Sequence, residues 1–126
     1  MRLLTFLTGV IFLNSTDKQL LKKFYNALEE KDAEKILVLD MSKTAVPTDY
    51  FFICSGNSFT HIRALRDSIV SEIEDTDLEI ISYDKGKDYD WLVIDAGGIV
   101  FHFFTRKGRE FFALENLWID ADRLSI

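Results

Sequence analysis

Asp90-Trp91-Leu92-Val93-Ile94-Asp95-Ala96-Gly97-Gly98-Ile99-Val100-Phe101-His102-Phe103-Phe104-Thr105 decides how the rest of the chain folds. Two apolar runs flank a Gly-Gly pair, and glycine takes φ > 0 without a Cβ clash, so the stretch predicts a tight β-hairpin. With Gly97-Gly98 as a two-residue loop, Asp95 faces Val100, Val93 faces His102 and Trp91 faces Phe104. One face is then Leu92, Ile94, Ala96, Ile99, Phe101 and Phe103, wholly apolar and in need of a covering layer of helices. The other carries Trp91, Val93, Asp95, Val100, His102 and Phe104, a mixed surface where function is sought first. A slip of one residue would exchange the faces, so this reading rests on the turn.

The length of 126 residues suits one domain with a real core, and 48% hydrophobic with 29% charged residues is an ordinary globular balance. The formal charge of −6 argues against a general nucleic-acid binder and favours a basic partner. Cys54, the single cysteine, excludes an internal disulfide and a cysteine-rich zinc site, and its apolar run Phe51-Phe52-Ile53-Cys54 reads as a buried, inert thiol. Residues 1–15 form an apolar extension. It is too short to span a membrane, which takes roughly twenty residues, and it lacks a convincing leader cleavage site. Residues 16–126 read as one domain.

Around the hairpin the elements follow in order. Thr16 and Gln19 fit a capping box ahead of a helix with Leu20, Leu21, Phe24, Ala27 and Leu28 on one stripe, ending near Asp32. Ile36 to Asp40 is a continuous apolar strand and reads as central in the sheet. Tyr50 to Cys54 is a second strand, Ser58 caps a second helix carrying Ile62, Leu65, Ile69 and Ile73, and Leu78 to Tyr83 is a third strand. Glu110 to Leu117 reads as a short helix with Phe111, Leu114 and Leu117 inward. The class is α/β, a mixed five-stranded sheet with packed helices.

Enzymatic constellations fail one by one. His102 can pair diagonally with Asp95, but no Gly-x-Ser-x-Gly nucleophile turn is present. Ser55 between a strand and a helix resembles the Gly-Ser turn of nucleotidyltransferases, whose chemistry needs close carboxylates to clamp metal ions. Asp88 and Asp90 are the best such pair and carry the alternative reading, a metal-dependent nucleotide-handling enzyme. They lie about thirty residues beyond Ser55, too far for that family's spacing. Gly56, Gly86, Gly97 and Gly98 compose no phosphate-binding loop. Arg106-Lys107-Gly108-Arg109 makes any direct RNA contact auxiliary.

Thr48-Asp49-Tyr50-Phe51-Phe52-Ile53-Cys54-Ser55-Gly56-Asn57-Ser58 resembles the signature strand and turn of the ribosomal silencing factors, the Iojap-like proteins. The likeness runs on through Gly86, Asp90 to Asp95, Val100 to Phe104, Arg109-Glu110-Phe111-Phe112 and Leu114-Glu115-Asn116-Leu117-Trp118. Two features depart from that family: Gly97-Gly98 stands where Gly-Asp is usual, and the apolar extension is atypical. The resemblance implies a nucleotidyltransferase-like fold without catalytic carboxylates, no cofactor or metal, and a cytoplasmic, non-enzymatic repressor of translation. It implies binding to the large ribosomal subunit through ribosomal protein number fourteen, with the small subunit sterically blocked. On the hairpin, Trp91 is then the anchor, with His102 and Phe104 on the same face, Asp95 orienting His102, and Gly86 letting its loop pass close to the partner. The residue types leave Trp91 open between an anchor and burial beneath a helix. Leu117 and Trp118 are expected to lock the terminal helix to the sheet. A homodimer joined through the hairpin sheet is a third reading.

Overall fold

The computed structural model describes residues 15–126; the apolar extension and its assignment lie outside the described residues, apart from Ser15. Helix α1 (Ser15–Glu30) leads into β1 (Glu34–Asp40) and β2 (Tyr50–Gly56), then α2 (Phe59–Glu74), β3 (Ser82–Tyr83) and the hairpin β4 (Trp91–Asp95) and β5 (Ile99–Thr105). Two short helices, α3 (Arg106–Phe112) and α4 (Leu114–Leu117), precede β6 (Asp122–Leu124). The strands lie in the order β3-β4-β5-β2-β1-β6. Among the described strands only β2 and β5 run parallel; the other neighbours are antiparallel.

The hairpin has the register its sequence predicts: Trp91 opposite Phe104, Val93 opposite His102, Asp95 opposite Val100. Ala96 N donates to Ile99 O at 3.0 Å to close the loop. Of the two turn glycines only Gly97 takes positive φ, at +76°, which matches a turn with glycine needed at its first central position. The neighbouring connection is tied to the same turn, for Thr48 Oγ1 donates to Gly97 O at 2.7 Å and Asp49 N and Tyr50 N both donate to Gly98 O.

The apolar hairpin face sits under α1 and α2 in one core with Phe24, Leu28, Phe52, Ile62, Leu65 and Ile69. The Phe24 ring meets Phe52 and Phe101 edge-on, with centroids 6.1 and 5.1 Å apart. Helix α1 stops because Asp32 turns left-handed at φ +59°. Asp32 N then donates to Glu29 O and Ala33 N to Leu28 O, which satisfies the last carbonyls. Helix α2 starts at Ser58, whose side chain accepts from His61 N at 3.0 Å.

Four expectations need correction. Among the described residues the sheet has six strands, not five, because Asp122–Leu124 pairs with the outer edge of β1. Strand β1 is therefore next to the edge, and its first half is partly exposed; the fully buried strand is β2. The third strand shrinks to Ser82–Tyr83. The terminal helix begins earlier and breaks at Ala113, which adopts φ +44°, so that Phe111 and Leu117 point outward while Leu114 is buried. Leu117 thus locks nothing, whereas Trp118 packs edge-on against Phe51 at 6.3 Å.

Candidate functional site

The mixed face of the hairpin is built over a second, smaller core of Leu39, Met41, Phe51, Ile53, Phe104 and Leu114. Phe104 is fully buried in it and His102 is 6% exposed. Trp91, half-buried, stacks on Phe104 at 5.0 Å and sends its Nε1–H to His102 Nδ1 at 3.1 Å. The indole donor makes Nδ1 the acceptor, so the imidazole is neutral and carries its proton on Nε2. Burial lowers the His102 pKa to about 3. Its Nε2 meets no hydrogen-bonding atom among the described residues; the Phe51 ring lies 4.5 Å away, tilted by 62°.

Helix α3 supplies the outer wall. Thr105 caps it, its Oγ1 accepting from Gly108 N at 3.0 Å and donating to Asp90 Oδ1 at 2.6 Å. Gly108 has no room for a side chain: an added Cβ would lie 2.3 Å from Asp90 O. The helix is thereby fixed to the start of β4, and Phe112 comes 4.9 Å from the Trp91 ring. Phe111 packs edge-on against Phe112 at 5.0 Å and is 76% exposed. Trp91, Phe112 and Phe111 make an aromatic ledge, with Leu117 and Ile119 also strongly exposed on the same terminal region. Exposed large apolar groups in a cluster mark docking surfaces in folded proteins.

Of the residues singled out from sequence, the fold gathers Trp91, His102 and Phe104 and leaves Gly86 and Asp95 elsewhere. His102 and Phe104 are the floor under Trp91 rather than surface contacts, because β5 is an interior strand. Asp95 does not orient His102. Its Oδ1 accepts from Gly97 N at 3.0 Å and so braces the hairpin turn, while Trp91 holds the imidazole. Gly86 answers to Tyr89, whose ring would lie 1.6 Å from an added Cβ. Phe111 and Phe112 were missed as surface residues. Thr105, a good capping residue directly before Arg106, was the signal for the earlier helix start that turns them outward.

The carboxylates proposed for metal chemistry are placed otherwise. Asp88 is exposed, Asp90 is committed to Thr105, and among the described residues no three His, Cys, Asp or Glu side chains gather as a metal site. No helix among the described residues is long and apolar enough to cross a membrane.

Residues 14–126 match the family model described as "Ribosomal silencing factor during starvation". The ribosomal silencing factor of Bacillus subtilis is 34% identical over 104 residues, covering 82% of this chain and 88% of that one. The mouse protein "Mitochondrial assembly of ribosomal large subunit protein 1" is 35% identical over 94 residues, which is 72% of this chain and 41% of the mouse protein. A crystal structure from Bacillus halodurans superimposes with a TM-score of 0.74 at 28% identity, covering 86% of this chain and 99% of that one. With the fold and the motif residues agreeing, the chain belongs to the ribosomal silencing factor family, regulatory proteins of translation.

Proposed function

We propose that the protein represses translation by binding the large ribosomal subunit through ribosomal protein number fourteen, so that the small subunit cannot join. The observation that carries the contact is the aromatic ledge of Trp91, Phe112 and Phe111, held rigid from below by His102 and Phe104. A well-packed aromatic anchor ringed by further apolar groups is the anatomy of a binding hot spot. The −6 charge of the chain suits a basic ribosomal partner, since complementary charge raises the encounter rate. The mouse relative carries the large subunit in its name. In this reading the protein is a regulator without catalysis, works in the cytoplasm with the ribosomes, and needs no cofactor. A homodimer through the hairpin sheet has little edge to use, because β3 pairs with Ile94 and Asp95 of β4, Asp84 takes both backbone groups of Val93, and β3 itself has two residues.

The test is sedimentation of the purified protein with isolated large subunits at near-physiological salt, with small subunits added in a parallel tube. Co-sedimentation together with loss of joined ribosomes is the expected result. Protein left in the supernatant, or joined ribosomes formed in undiminished yield, would sink the reading.

A further inference from the structure

At the far ends of the parallel pair β2 and β5 the surface opens into a crevice of about 620 Å³, lined by residues of β1, β2, β6, α3 and α4. In open α/β sheets the carboxyl ends of parallel strands are where ligands lodge. Four cations line it, Lys35, Arg106, Arg109 and Arg123, against the carboxylates of Glu34, Glu110 and Glu115. Arg106 pairs with Glu34 and Arg109 with Glu115. Lys35 and Arg123 have no carboxylate partner among the described residues, and both are exposed at the rim. A local excess of positive charge stands here in a chain whose total is −6.

Two details show a site that is constructed rather than incidental. Ser55 is 2% exposed, yet it is one of the residues that line the crevice. Its Oγ accepts from Arg109 Nη1 at 3.0 Å, which leaves the O–H donor without an acceptor among the described residues. Lys35 sits at φ +49°, where the pairing of β1 with β2 skips between Glu34 and Leu37. A non-glycine residue in that region costs on the order of 1–3 kcal/mol, and such strain concentrates at ligand sites. The bulge sets Lys35 into the crevice lining along with Arg123 from the adjacent β6.

We propose that this crevice binds a phosphate group, with Lys35 and Arg123 supplying charge and the buried Ser55 and partly buried Arg109 supplying donors. A tetrahedral phosphate accepts from several directions at once, as donors on separate strands and a helix require, and charge-assisted bonds to it are strong. The group belongs either to an RNA backbone or to a small phosphorylated metabolite. The reading is independent of the ribosome contact, because it is measured with no ribosome present.

The full chain is titrated with inorganic phosphate and with pyrophosphate while backbone and side-chain NMR signals are followed. Saturable shifts at Lys35, Ser55, Arg109 and Arg123, absent in sodium chloride of equal ionic strength, are expected. The variant Lys35→Gln with Arg123→Gln, changed only at exposed side chains, keeps its melting temperature and binds phosphate about tenfold more weakly or worse. A single-stranded RNA hexamer that binds more tightly than a nucleoside triphosphate identifies the RNA backbone as the source; the reverse order identifies a metabolite. Shifts no larger than those in chloride, or undiminished binding by the double variant, overturn the proposal.

Discussion

The Trp91 indole reaches diagonally across the hairpin and donates to His102 Nδ1 at 3.1 Å. This bond fixes both the tryptophan's orientation and the histidine's tautomer, and burial holds His102 neutral with a pKa of about 3 in place of 6.5. The unfolded chain protonates His102 below pH 6.5, while the folded chain refuses the proton until about pH 3. His102 therefore costs no stability above pH 6.5, and stability falls as pH drops through the window from 6.5 to 3. Replacing it by Gln, which keeps an acceptor for the indole, removes a slope of about 1.4 kcal/mol per pH unit. Chemical denaturation of both proteins at several pH values between those limits checks this. Parallel profiles would show that His102 is not the group responsible.

The ledge separates binding from folding. Phe111 is 76% exposed, so Phe111→Ala is expected to shift stability by no more than about 0.5 kcal/mol. Its loss of large-subunit binding is expected to be about 1–2 kcal/mol, the size for a contributing contact beside an anchor. Trp91→Ala removes the ring that Phe104 stacks on and Phe112 packs against, and weakens both properties. Thermal melts beside quantitative sedimentation distinguish the cases. Undisturbed binding by Phe111→Ala would move the contact off the ledge.

The hairpin was legible because its signals are local: a Gly-Gly pair and alternating residue types fix the turn, the register and the two faces within sixteen residues. The helix starts at Ser58 and the stop near Asp32 were legible for the same reason. Other features depend on partners distant in sequence. Asp122–Leu124 is too short to announce a strand and forms one only because β1 offers an edge. The apolar run of β1 read as central, yet its other neighbour is the three-residue β6, with Leu124 opposite Val38. The outward turn of Phe111 follows from the helix start that Thr105 caps, and Gly108 packing against Asp90, a contact that no spacing of apolar residues encodes, fixes that helix against β4. The candidate site divided accordingly: that Trp91, His102 and Phe104 share one hairpin face was legible, and the burial that makes His102 and Phe104 a floor under Trp91 was not.

Cys54 tests the same burial chemically. Its thiol lies 1% exposed in the fully buried strand β2, and burial pushes its pKa up to about 12. The thiolate is the reactive species, so labelling must wait for the chain to open. With an aromatic disulfide reagent at pH 8, the rate is expected to be independent of reagent at high concentration and to rise with denaturant. Rapid stoichiometric labelling in native buffer would show that β2 is more accessible than the structure places it.

Asp90 holds helix α3 in place, and this sets the structural reading of the residue against a metal-binding one. Its Oδ1 accepts from Thr105 Oγ1 at 2.6 Å, its carbonyl accepts from Thr105 N at 3.0 Å, and Gly108 lies flush against it. Asp90→Ala removes a charge-assisted acceptor and is expected to cost about 1.5–3 kcal/mol. Asp90→Asn keeps a neutral oxygen acceptor and is expected to recover part of that loss. Gly108→Ala drives a Cβ into the Asp90 carbonyl and is expected to cost about 1–3 kcal/mol by overpacking. Because each change displaces Phe112 from Trp91, large-subunit binding should weaken in the order of the stability losses, with Asp90→Asn the mildest of the three. Denaturation midpoints, Trp91 fluorescence measured in a Trp118→Phe background, and sedimentation read the three consequences separately. A residue serving metal chemistry would behave differently: Asp90→Asn would be as damaging as Asp90→Ala, and added magnesium would change the melting temperature of the unaltered protein but not of the variants.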